Sequence, residues 1–99
     1  MAAYIVVQID VRDAATYEAY KAEAPASIAA YGGRYLVRGG PVVQLEGSWA
    51  PKRLVILEFP SAERARAWWA STEYGPAKAV RQASAHTEMI LIDGFREPT

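Results

Sequence analysis

Arg38 and Glu58 are the side chains best suited to hold and transform a small anion, and each sits inside an apolar, strand-like run: "RYLVR" for Arg38, "RLVILEF" for Glu58. A guanidinium fork binds a carboxylate or enolate through paired N–H bonds. A carboxylate set among Leu54 and Ile56 is desolvated, which raises its pKa towards the range of a general acid or base; an arginine beside it does the reverse. Tyr20 is a second candidate for moving a proton, because a phenol both donates and accepts. Trp68 is a candidate wall for such a site, and Tyr74 and Arg81, on either side of the break at Pro76, are candidates to close it. Each also has a structural alternative. Arg38 can pair with Glu58 or with a carboxylate on another chain, Trp68 and Tyr20 can be core, and Tyr74 and Arg81 can anchor a short helix.

Other chemistries have little to work with. The chain has no cysteine and one histidine, His86, with no carboxylate at a ligand spacing, so no metal is expected. There is no phosphate-binding glycine loop, no dinucleotide fingerprint and no serine elbow. No second axial ligand for haem stands beside His86, and no cofactor is expected. Lys plus Arg and Asp plus Glu both number 11. That balance offers no electrostatic footprint for nucleic acid or an anionic membrane. No apolar run approaches the length of a membrane span, and "MAAYIVVQIDVRD" reads as a first strand and not as a signal peptide, so a cytoplasmic protein is expected.

The elements that must position these side chains follow from local pattern. Tyr4–Val11 is β-branched and reads as the first strand. Asp13 offers an N-cap to a helix with Tyr17, Tyr20 and Ala24 on one stripe. Pro25 should kink or restart that helix, and Gly32 and Gly33 should end it in a left-handed turn. "RYLVR" is the second strand. Gly39–Pro41 reads as a bulge or bend, beyond which "VVQLEG" continues extended. Arg53–Phe59 is the third strand. Ser61 caps the second helix, Pro76 opens a short third one, and "TEMILID" is the last strand. The order β-α-β-β-α-β describes an α+β, ferredoxin-like sandwich with an antiparallel sheet, one domain over 1–99 with a loose tail from about 95.

Strand alternation divides the sheet into two faces. Ile5, Val7, Ile9, Val55, Leu57, Phe59, Met89 and Leu91, with Tyr35 and Val37, are expected under the helices. Val6, Leu36, Leu54, Ile56, Ile90 and Ile92 share the other face with the charged Asp10, Arg34, Arg38, Glu58 and Glu88. A two-layer sandwich leaves that second face bare, and an apolar patch of this size marks an interface. The expected cover is the same face of a second copy, giving a homodimer whose sheets pack together.

The segments "GGRYLVRGG", "EGSWAPKRLVILEFPS", "AWWASTEYGPAKAVRQASA" and "ILIDG", in this order and covering about Ala3 to Phe95, resemble the bacterial family of the domain of unknown function 1330, within the dimeric α+β barrel superfamily. The resemblance implies a ferredoxin-like subunit and a barrel-like homodimer, in line with the face argument. It carries no established activity. The matching positions include Arg34, Arg38, Glu46, Gly47, Glu58, Trp68, Tyr74 and Arg81. Tyr31 stands where some relatives have histidine, which removes a base from that position. Two functions fit: a cofactor-free, enzyme-like pocket for a small organic acid or oxygenated aromatic, or a non-catalytic homodimeric module that binds a small ligand or only maintains an assembly.

Overall fold

The computed structural model describes residues 1–95, and the tail expected to be loose lies largely outside them. The elements run β1 (Ala3–Val11), α1 (Ala14–Ala30), β2 (Arg34–Arg38), β3 (Arg53–Phe59), α2 (Ala62–Trp69), α3 (Gly75–Ser84) and β4 (Ala85–Asp93). The four strands form one antiparallel sheet in the order β2-β3-β1-β4. The third helix is a full ten residues long. It packs against α1 and feeds directly into β4, which starts two residues earlier than its sequence pattern suggests.

The helix ends follow local chemistry. The Asp13 carboxylate accepts from the Thr16 N–H, and the Ser61 hydroxyl accepts from the Arg64 N–H. Gly32 takes the left-handed conformation, φ 79°, and its N–H reaches back to the Ala29 carbonyl. Pro25 does not interrupt α1, contrary to expectation. It has no N–H to give the carbonyl of Lys21, one turn earlier. That carbonyl instead accepts from Nη2 of Arg38 at 2.8 Å, so a side chain supplies the donor that the helix lacks.

The core lies between the helices and one face of the sheet. Ile5, Val7, Ile9, Val55, Leu57 and Phe59 are buried there under Tyr17, Ile28, Trp68 and Tyr74. The other face is partly bare, with Ile90 59% and Ile92 53% exposed.

One irregularity redirects the site. The pairing runs Arg34↔Glu58 and Tyr35↔Leu57, then Val37↔Ile56 and Arg38↔Val55. Leu36 is an extra residue, a β-bulge, and beyond it the alternation of β2 is inverted. Val37 joins the bare face and Arg38 turns to the helix side. The sequence pattern placed both the other way. Of the two readings of Gly39–Pro41, bulge or bend, the bend holds: the strand ends at Arg38 and Gly39 turns the chain at φ 73°. "VVQLEG" does not continue the sheet, and its Val43 and Leu45 stand exposed in an irregular arm.

Candidate functional site

A single stripe of α1 supplies Tyr17, Tyr20 and Lys21, which lie on one face because positions three and four apart are neighbours on a helix. Beneath them the helix-facing side of the sheet supplies Val7, Ile9, Tyr35, Val55, Leu57 and Met89, with Trp68 as a back wall. Together they enclose a cavity of about 20 Å³, room for about one water. Lys21, Arg38 and Arg53 border both this cavity and an open mouth of about 450 Å³, which Glu18 and Ala22 complete. Glu18 is held by Lys21 at 3.3 Å, so the two arginines have no carboxylate partner at the mouth among the described residues.

Each arginine is placed by its surroundings. Arg38 stacks over the Tyr35 ring, 4.4 Å from its centroid, while donating to the Lys21 carbonyl. Arg53 begins β3 and lies 5.7 Å from the Tyr17 ring centroid. Its guanidinium presses against the backbone of Gly39, where a Cβ would sit 2.1 Å from the nearer nitrogen. Its Nε is buried with no hydrogen-bond partner among the described residues. An unsatisfied buried donor on a cation is costly to the fold and points to a missing acceptor.

Of the partners that the sequence left open for Arg38, Glu58 is excluded, and the two do not share a site. Glu58 lies on the opposite face of the sheet, where it accepts from Arg34 Nε at 2.7 Å and from the Tyr4 hydroxyl at 3.1 Å. The bond from Arg34, and after it that from Tyr4, hold its carboxyl below the usual carboxylate range. It is ionised at neutral pH, and neither a raised base nor a neighbour of Tyr20. A depressed folded pKa stabilises the fold above the unfolded value, and that stabilisation is lost as pH falls through the folded one. In Arg34→Ala the Glu58 midpoint, read by carboxyl-carbon NMR, is expected to rise; an unchanged midpoint would remove Arg34 as the cause.

Tyr20, Tyr74 and Arg81 are brought together, as a chain. The Tyr20 and Tyr74 hydroxyls are 2.9 Å apart, and Arg81 Nε donates to Tyr74 at 3.2 Å and Nη1 to Thr87. Tyr74 is fully buried and Arg81 only 3% exposed. Burial, then Tyr74 beside it, push the Tyr20 phenol well above its ordinary range, so it stays protonated. Trp68 is fully buried, its indole N–H held by Ser27 at 3.1 Å, and it serves as core and cavity wall together. Tyr74 and Arg81 do not line the cavity themselves.

Arg53 and Lys21 are the site residues that sequence reasoning missed. A signal for Arg53 was present: it falls on the same alternate set as Val55, Leu57 and Phe59, a charge at the head of an apolar face. Among the described residues no three His, Asp or Glu side chains gather to hold a metal ion.

Residues 2–95 match the family described as Domain of unknown function (DUF1330). No curated protein sequence matches the chain. Among solved structures it is similar to RPA0582, a protein of unknown function from Rhodopseudomonas palustris, at 18% identity and a TM-score of 0.78, covering 97% of this chain and 84% of that one. It is similar to SnoaB, a cofactor-independent oxygenase from Streptomyces nogalater, at 15% identity and a TM-score of 0.65, covering 97% and 95% of the two chains. An uncharacterised NIPSNAP domain protein from Burkholderia xenovorans has the same fold at 12% identity and a TM-score of 0.56, covering 96% and 95%. At these identities the likeness shows the fold alone, an α+β ferredoxin-like one, and no residue's role.

Proposed function

The chain belongs to the DUF1330 family, and from that premise we propose that the cavity between α1 and the sheet binds a small organic carboxylate with an apolar body. The observation that carries this reading is the pair of arginines at the mouth, Arg38 and Arg53, which among the described residues have no carboxylate partner, the Arg53 Nε having no acceptor there either. The carboxylate takes the open mouth. The apolar body points inward towards Tyr17 and Tyr35, and the cavity, which as it stands holds about one water, must widen on binding to take it. Binding is favoured over turnover because the cavity lining contains no carboxylate or histidine to serve as a base near neutral pH.

The test is titration with pentanoate, followed by NMR. Arg53→Ala and Arg38→Ala are each expected to weaken binding about tenfold or more, the worth of one hydrogen bond to a charged group. Lys52→Ala, on an exposed side chain paired with Asp10, should leave it unchanged. Equal affinities in wild type and Arg53→Ala would sink the reading.

The bare face of the sheet supports a homodimer in which two such faces meet. Leu36, Val37, Ile90 and Ile92 are exposed on it, and the indole of Trp49 in the arm after β2 bonds Gln8 on the same face. Sedimentation equilibrium should give twice the chain mass, and Ile90→Asp should shift it towards the monomer. A stable wild-type monomer would exclude the arrangement.

A further inference from the structure

We infer that Arg81, Tyr74 and Tyr20 form a one-way hydrogen-bond chain that delivers a single O–H donor to the cavity, so that the ligand is a carboxylate carrying a second oxygen acceptor, a keto or enolate oxygen, on its inner part. This rests on the carboxylate reading and adds to it the chemistry of the ligand's other end.

The direction follows from what each group can do. A guanidinium donates and cannot accept, so Tyr74 Oη accepts from Arg81 Nε. Tyr74 is fully buried, and a buried hydroxyl proton needs an acceptor. Among the described residues the acceptor in reach is Tyr20 Oη, 2.9 Å away. Tyr74 therefore donates to Tyr20. Tyr20 is thereby committed as acceptor towards Tyr74, and its own proton has no partner among the described residues. Of these groups only Tyr20 lines the cavity.

Arg81 gives the chain its polarity. It is buried with no carboxylate within 4 Å among the described residues. A buried guanidinium without a counter-ion is expensive, and its field acts on Tyr74 with little screening. Both hydroxyls are thus oriented in the same sense, and Tyr20, kept protonated by its burial, has its proton free for the cavity. The carboxylate is held by Arg38 and Arg53 at the mouth, and the inner oxygen accepts from Tyr20. An oxo acid presents such a pair of groups.

Pentanoate and 4-oxopentanoate differ only in the ketone and are the probes. Wild-type protein is expected to bind 4-oxopentanoate about tenfold more tightly than pentanoate, the worth of one well-placed hydrogen bond. The ketone carbon of labelled 4-oxopentanoate should move downfield on binding. In Tyr20→Phe both the preference, read as the ratio of the two affinities within the variant, and that shift should vanish. In Tyr74→Phe, where Tyr20 loses the donor that commits its own proton to the cavity, the downfield shift should shrink. A preference that survives Tyr20→Phe, or its absence in wild type that still binds pentanoate, overturns the chain alone. Wild-type protein that binds neither probe overturns the carboxylate reading and the chain with it.

Discussion

Replacing Trp68 by alanine is expected to destabilise the fold by about 3–5 kcal/mol, the range for deleting a fully buried tryptophan and leaving a cavity. The indole is fully buried, stacks 4.0 Å from the Tyr74 ring centroid and 5.4 Å from that of Phe59, and is held by Ser27. A domain of this size has about 5–15 kcal/mol in all, so the variant should be marginal. Urea denaturation should show a lower midpoint with little change in slope. Trp69 is the internal control. It is one residue along the same helix, about 100° round the axis, and is 44% exposed with Lys78 over its ring. Trp69→Ala should cost about 1 kcal/mol or less, the worth of an exposed cation–π contact. Equal losses in the two variants would mean that packing around Trp68 does not carry the core. Because Trp68 also walls the cavity, residual folded protein should bind pentanoate poorly.

Gly39→Ala is expected to cost about 1–2 kcal/mol in stability and to weaken pentanoate binding as much as Arg53→Ala does. The first part is conformational. Gly39 has φ 73°, where a residue with a Cβ is strained by roughly that amount. The second part is displacement, since the new Cβ would lie 2.1 Å from an Arg53 guanidinium nitrogen. The guanidinium is the flexible end of its side chain, so it moves and the backbone stays. The fold survives and the anion site loses one of its two arginines. In an Arg53→Ala background the same change should still cost stability, because the strain remains, and should no longer affect binding. Full binding in Gly39→Ala would show that Arg53 does not hold the ligand.

These two residues also show how far local pattern reaches. The caps at Asp13 and Ser61, the left-handed turn at Gly32 and the strand at Arg53–Phe59 depend on neighbours within a few positions, and all could be read in order along the chain. That order gives the fold class. The burial of Trp68 and exposure of Trp69 could not be assigned, because adjacent helix positions both look apolar and only the neighbouring elements choose between them.

The sequence by itself determined the elements, their order, the division of the sheet into a buried and a bare face, and the family. The first three follow from periodicity and capping, which are local; the family follows from the resemblance of the ordered motifs. Only the tertiary structure decided the site. The extra residue at Leu36 is set by how β2 pairs with β3, and period-two alternation contains no mark of it. That one residue takes Arg38 off the bare face and sets it beside Lys21, Tyr35 and Arg53, while the Arg34↔Glu58 register keeps it apart from Glu58. The carbonyl that Pro25 leaves without its helical donor then holds it there.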